Sequence, residues 1–532
     1  MDKENDFMKY LKKSKYSIII IIGVILFAFG ERIISQSFSI DTELYIGEIG
    51  AAGRWNWWIT LNRWGLVLLN KIFQMGSLPI FASNFLTVIL IIAYSIGFNY
   101  LFYTYTKEEY KEKFLKYQFI FPILFVTNPI FAEQYNFILQ NISVAFTVFL
   151  IPIILLIIDK ASKVENKIQK ILYYVISIAL LILSFGVYQS VILLYIVTVV
   201  VCYLLKVLKD NDNNWKYLGK QIGIFLAAAL VYFVIGKVLA KGSSTSYLQM
   251  AWLKDSVEQC LKNIYVCVKA VIKCEGIFYN IGYVISILIS AIFIIYLCKK
   301  KKLKIGVIIS IIGLLSAPFY IMIITGVDQL KRTQFNYPFV AAIVIMYTVI
   351  YLSKIDKLRW LKNAFIVLVC ILAYTQSYNT ANLFNTVDVQ YRSDEAFAYD
   401  LMSKIESKDW YNPKEDYKII FVGRHQKQLK NVYLKSEVIG SSFFAFDYEY
   451  IYGVNSRGIT FLNILGYKLE QPTAAEFEEA KKYVEENNIK EWPNEEAIKL
   501  VDNKIIVRLS EEYWKVEKRY EITKIKHNYT SL

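Results

Sequence analysis

Long apolar runs alternate with short polar segments as far as about residue 378, and the pattern then changes. Runs of roughly 18–22 apolar residues match the thickness of a bilayer core. They predict about eleven membrane-spanning helices, near 16–34, 78–101, 118–132, 137–158, 171–185, 187–205, 221–240, 278–297, 305–325, 337–353 and 363–378. The first run begins at Tyr16, is too long for a signal-peptide core and is followed by no small-residue cleavage site, so it reads as a retained anchor. Every second connection is basic: 107–117, 159–170, 206–220, 298–304 and 354–362. With the lysine-rich amino terminus they fall on one side, which the positive-inside rule makes the cytoplasm. The other side receives 35–77, a turn at 127–136, a tight turn at Gly186, segment 241–277, the connection 326–336 and everything after Tyr378.

After about Asn379 the composition becomes that of a soluble domain. Strand-like KIIFVG (418–423) and KIIVRL (504–509) flank a helical stretch at 473–488, which starts at Thr473 just after Pro472. The chain thus reads as a polytopic α-helical membrane protein, residues 1–378, with a carboxy-terminal extracytoplasmic α/β domain, residues 379–532. Its amino terminus is expected in the cytoplasm.

Composition changes this picture little. The chain has 532 residues, is 56% hydrophobic and carries a formal charge of +15. The lysines lie between spans and not in one groove, so the charge reflects membrane topology and excludes a nucleic-acid partner. Cys260, Cys267 and Cys274 recur every seven residues within 241–277, an apolar stripe on an amphipathic helix. Neighbours in that stripe are about 10 Å apart, too far for a disulfide. His425 and His527 stand alone and read as solvated surface groups.

Candidate chemistry concentrates in the first outer loop. Asp41, Glu43 and Glu48 are followed by Arg54 and Arg63 and by Trp55, Trp57, Trp58 and Trp64. The tryptophans read most economically as an aromatic belt on an interfacial helix, and Glu31 and Arg32 as an interfacial pair. Other outer connections supply Glu133, Gln134, Tyr188, Gln189, Asp328, Lys331 and Arg332; the last three also suit a solvated loop. An acidic pair directly after the first span has no evident structural task. A carboxylate facing a group of cations suits transfer of a sugar from a lipid phosphate: the acid takes the proton of the attacking hydroxyl and the cations hold the leaving phosphate. Two acids two residues apart can also ligate Mg²⁺ or Mn²⁺, which leaves a divalent metal open.

The acid-containing first outer loop followed by Arg54-Trp55 and Arg63-Trp64-Gly65 resembles the Gtr-type glucosyltransferases that modify O-antigen in serotype conversion. LSFGVYQSVILLY (183–195), NPIFAEQYNFILQNIS (128–143) and KRTQFNYPF (331–339) are similar to later segments of the same family, and the resemblance covers roughly 35–360. It implies a GT-C fold, a polyprenyl-phosphate-linked glucose donor and a surface glycan acceptor outside the cytoplasm. It also implies a catalytic carboxylate at Asp41 or Glu43. The family pattern has adjacent acids, whereas here Thr42 intervenes, so the choice between the two stays open. On this reading Arg54, Arg63, Lys331 and Arg332 hold the lipid phosphate, and Tyr188 and Gln189 line the sugar pocket. A polysaccharide polymerase or ligase, or a lipid or glycan transporter, is the alternative. The transporter reading predicts charges within the bundle and corresponding halves, neither of which the sequence displays.

Overall fold

A computed structural model describes residues 6–47, 50–73, 79–240, 251–427, 429–430, 434–447 and 452–509. Glu48 and His527 lie outside the described residues, as does 241–250. The chain divides into two compact units, one of residues 1–34 and 55–381, the other of 35–54 and 382–532. The boundary differs from the sequence reading in one respect that matters below: the acid-bearing segment 35–54 belongs with the carboxy-terminal residues, not with the membrane helices.

In the first unit and its continuation, nine helices among the described residues are long and apolar enough to cross a membrane. They are Asp6–Ile34, Ile80–Tyr105, Ile138–Lys163, Lys167–Val187, Ser190–Asp210, Trp215–Leu239, Ile281–Lys299, Ile305–Thr325 and the segment Asp356–Glu406. This is a multi-pass membrane protein. The two remaining expected spans are a shorter helix and a broken one. Asn336–Leu352 is an apolar helix of 17 residues. The span expected at 118–132 is broken into the helices Ile120–Phe125 and Pro129–Tyr135.

The break has a local cause. Pro129 has no N–H and pushes Asn128 into an extended conformation (ψ 136°), where the Asn128 side chain accepts from Ile130 N (3.0 Å) and starts a new helix. The broken segment nevertheless travels the length of the first helix. Gln118 Nε2 donates to Ser14 Oγ (2.9 Å) near one end, and Arg32 Nη2 donates to Asn136 O (2.9 Å) at the other. Ser14 and Arg32 are eighteen residues apart on one helix, about 27 Å along its axis. Asn84 Nδ2 in turn donates to Arg32 O (2.8 Å), Asn141 Nδ2 to Asn84 Oδ1 (3.1 Å) and Ser83 Oγ to Asn141 Oδ1 (2.8 Å). These buried groups join three apolar helices through polar contacts that lipid cannot replace. Arg32, read from the sequence as interfacial, is buried in that network.

The cysteine stripe is partly retained. Ser256 caps a helix Val257–Ile272, accepting from Gln259 N (3.2 Å), and Cys260 and Cys267 are buried on it. Cys274 lies beyond the helix end in a left-handed conformation (φ 57°), so it leaves the stripe.

In the second unit, strands β1 (Lys418–Val422), β2 (Ile498–Val501) and β3 (Lys504–Arg508) form a sheet in the order β1-β3-β2. β1 and β3 are parallel, with Ile420 opposite Ile506, and β2 runs antiparallel to β3. Asp502 and Asn503, both at positive φ (44° and 63°), make the two-residue β2–β3 turn. The helix Ala474–Glu486 begins in a capping box between Thr473 and Glu476 and packs Phe477, Ala480 and Val484 on Ile420, Val422 and Ile506. The sequence reading anticipated β1, β3 and this helix. It missed β2 and the helix Asn455–Ile464.

It also ended the last span at 378, whereas a single helix runs from Arg359 to Glu406. No glycine or proline interrupts that stretch. Leu383, Phe384, Val387, Ala398, Leu401 and Ile405 keep a buried stripe at helical spacing after the apolar run has ended. His425 is not a solvated surface group. Its ring stacks on Phe397 at 4.2 Å, and burial, with Lys427 nearby, pushes its pKa down to about 4.

Candidate active site

Segment 35–47 enters the second unit as a mostly buried chain. Phe38 packs against the rings of Tyr391 (5.0 Å), Phe443 (5.8 Å) and Phe461 (6.4 Å), Ile40 is buried, and Ser35 Oγ donates to Asp388 Oδ1 (3.1 Å). At Asp41 the chain turns with φ 78°, a conformation that costs a non-glycine residue of order 1–3 kcal/mol and persists only when its surroundings enforce it. The short helix Thr42–Ile46 follows. Gly47 closes it against the Asn455–Ile464 helix, where a Cβ would stand 2.6 Å from Thr460 Cγ2.

The enforcing partner is Arg457. Its Nη2 donates to Asp41 Oδ1 (2.9 Å), its Nη1 to Glu43 Oε1 (2.5 Å) and its Nε to Asp447 Oδ2 (2.5 Å). The cation between the two acids of this loop is thus a guanidinium 414 residues away in sequence from Glu43. Burial works against the charge of Arg457, yet Glu43, Asp41 and Asp447 hold it more firmly protonated than a free arginine. Among the described residues no group of three or more His, Cys, Asp or Glu side chains is disposed to hold a metal ion.

The two acids of the loop are not equivalent. Asp41 keeps 38% of its side chain exposed, whereas Glu43 is fully enclosed. Glu43 Oε2 is buried without a hydrogen-bond partner. Burial is the main cause that raises the Glu43 pKa to about 7; Arg457 opposes the shift and Asp41 adds to it. A raised folded-state pKa means that the folded protein binds the extra proton. The stability contributed by that proton is complete below about 4.5 and is lost as pH rises through about 7. Glu43→Gln, always neutral, is therefore expected to gain thermal stability relative to the wild type as pH rises from about 5 to 8, by a few degrees in Tm. Melting curves of the two proteins across that range check it; a gap that shrinks with pH would contradict the assignment.

Arg54, expected to bind phosphate, belongs to this second unit. It is buried, donates from Nη1 to Tyr45 O (3.1 Å), and its pKa is drawn down by that burial. In the first unit Arg63, Tyr188 and Gln189 do come together. The Arg63 guanidinium lies 4.9 Å over the Tyr188 ring and its Nε donates to Gln189 Oε1 (3.3 Å). Gln189 Nε2 donates to Leu61 O (2.9 Å), which orients its carboxamide toward Arg63. Lys331 is committed to an ion pair with Asp328 (2.9 and 2.7 Å), and Arg332 lies 4.9 Å over Phe137. The aromatic-belt reading holds least for Trp58, which is buried, and for Trp64, which packs on Gly186; Trp57 is 43% exposed.

The Trp64–Gly186 contact explains why two of the quoted motifs contain glycine. A Cβ on Gly186 would stand 2.8 Å from Trp64 Cε2, and one on Gly65 would stand 2.8 Å from the Gly186 carbonyl carbon. Backbone meets backbone there, and the approach sets Arg63 beside Tyr188 and Gln189. Gly186→Ala is expected to cost about 1–3 kcal/mol, read as a lowered Tm in detergent, because a rigid indole must move.

A family model for glucosyl transferase GtrII matches residues 32–353. The chain belongs to the GtrII glucosyl transferase family. The match begins at Arg32 and contains the acidic loop, Arg63-Trp64-Gly65, Gly186 to Gln189 and Lys331-Arg332. Arg457 and Asp447 lie beyond it, and sequence reasoning missed both. The one signal available was an arginine placed among apolar residues in NSRGITFLNI (455–464). No curated protein and no solved structure matches the chain.

Proposed function

We propose that this GtrII-family protein transfers glucose from a polyprenyl-phosphate carrier to a cell-surface glycan at the extracytoplasmic face, on a GT-C type of fold. The observation that carries the reading is Asp41: a partly exposed carboxylate in the family's first loop, held by a buried arginine in an unfavourable backbone conformation. Asp41 accepts the proton of the acceptor hydroxyl as that oxygen bonds to the anomeric carbon and the bond from that carbon to the phosphate oxygen breaks. The polyprenyl phosphate leaves as a stable anion and needs no acid. Glu43, enclosed and tied to Arg457, positions Asp41 and does not itself reach an acceptor.

Arg63 and Arg332 are the stronger candidates for holding the lipid phosphate. Each guanidinium carbon lies 4.9 Å from the centre of an aromatic ring, and a guanidinium can grip phosphate oxygens with paired N–H donors. Lys331, neutralised by Asp328, and Arg54, tied to Tyr45 O, are weaker ones. Tyr188 and Gln189 line the sugar site. The alternation of basic connections supports the outward placement of these loops.

The test is turnover by the purified protein given polyprenyl-phosphate glucose and unmodified surface glycan. The expected result is release of polyprenyl phosphate with the gain of one hexose per acceptor site, read by mass. Transfer from a nucleotide sugar and not from the lipid would overturn the donor assignment.

A further inference from the structure

The second unit carries an open groove remote in sequence from the acidic loop. The Arg359–Glu406 helix closes in turns, with Ser407 N donating to Ser403 O (3.1 Å) and Lys408 N to Ile405 O (3.1 Å). The next residues are pinned by one hydroxyl. Tyr417 Oη donates to Trp410 O (3.2 Å) and accepts from Asn412 N (3.1 Å). The Tyr417 ring meets Trp410 edge-on at 6.3 Å and stacks on Tyr411 at 5.5 Å. An indole on a connecting segment is thereby fixed in place. A second wall is the Glu495–Ala497 turn, capped by Asn494 Oδ1, which accepts from Glu496 N (2.9 Å). Lys408 Nζ reaches Glu495 O (3.3 Å) and ties the two walls together.

The groove encloses about 360 Å³, with Lys408 and Trp410 on one side and Glu495, Glu496 and Lys499 on the other. That volume lies within the range of about 300–1,000 Å³ found for small-ligand clefts. Its chemistry is specific. Trp410 offers a rigid apolar face of the size of a pyranose ring. Two carboxylates accept from hydroxyls and two ammonium groups donate to them, as charge-assisted hydrogen bonds. The paired charges cancel, which disfavours a polyanion. A peptide adding to the sheet is disfavoured as well, since the neighbouring edge strand β2 has four residues and carries Lys499, a protected edge.

We propose that this groove is a binding subsite for the acceptor glycan, taking a neutral oligosaccharide stacked on Trp410. The inference rests on the glycosyl-transfer reading above, and its test separates the two. The probe is labelled oligosaccharide released from the surface glycan of cells that lack the protein. It is titrated against the full chain in detergent carrying Asp41→Asn, so that no turnover intervenes. Adding Trp410→Ala is expected to weaken binding at least tenfold, while Trp410→Phe, which keeps an aromatic face, retains most of it. In the active protein Trp410→Ala raises the KM for acceptor by a similar factor. Equal binding with and without the indole overturns the proposal, as does displacement by an extended peptide in place of oligosaccharide. If oligosaccharide binds through Trp410 but the wild type turns over no lipid-linked glucose, the groove stands and the donor reading falls.

Discussion

Replacing Arg457 by methionine is expected to abolish glucosyl transfer and to lower the stability of the second unit by about 3–5 kcal/mol, the cost of stripping a buried charge cluster of its partner. Arg457 is 7% exposed and is the shared donor of Asp41, Glu43 and Asp447. Without it three carboxylates converge with nothing between them, and the left-handed turn at Asp41 loses its anchor. Arg457→Lys keeps the charge but not the fork. One ammonium cannot aim separate N–H groups at three carboxylates in the guanidinium's fixed geometry, so partial stability and a large loss of activity are expected. Combining Arg457→Met with Glu43→Gln should recover part of the stability, because one of the stranded charges is then removed. Melting curves and hexose transfer measured on the same preparations check this. An Arg457→Met protein with wild-type transfer would remove the cluster from the mechanism.

The second large effect is expected at Asp41. Asp41→Asn keeps the shape and still presents an oxygen to Arg457 Nη2, so the fold should be retained with little change in Tm. On the proposed mechanism it removes the proton acceptor, and transfer should then fall by about 10²–10⁴-fold. Glu43→Gln, at an enclosed position, should lose far less. The ratio between the two rates is the decisive quantity. The reverse order, a severe Glu43→Gln and a mild Asp41→Asn, would exchange the roles of the two acids.

Spacing could not tell the surroundings of Asp41 from those of Glu43, because both lie in the same loop with one residue between them. Exposure separates them, and exposure is a property of what packs around a loop. The same reason accounts for the two largest differences in the fold. Segment 35–54 follows an apolar span and was grouped with it by proximity in sequence, but Phe38 packs on aromatic residues that come after 390 and Ile40 is buried. The Arg359–Glu406 helix was ended where its apolar run ended, although its buried stripe continues at helical spacing. By contrast, the Asn128-Pro129 break was readable in principle, since proline chemistry is local.

What the sequence by itself determined is what depends on neighbours along the chain. That includes the long apolar helices, the helix start at Thr473, the strands β1 and β3, and the family to which the ordered motifs belong. Transfer of a side chain out of water and the closing of a helix end are decided within a few residues, so they leave a local trace. The tertiary structure alone decided that Arg457 is the cation of the acidic loop, that Asp41 is the exposed acid, and that Gly65 and Gly186 let two distant motifs touch. Each of these depends on which remote segments meet. That is settled by the summed packing of the unit, and no single stretch of the chain records it.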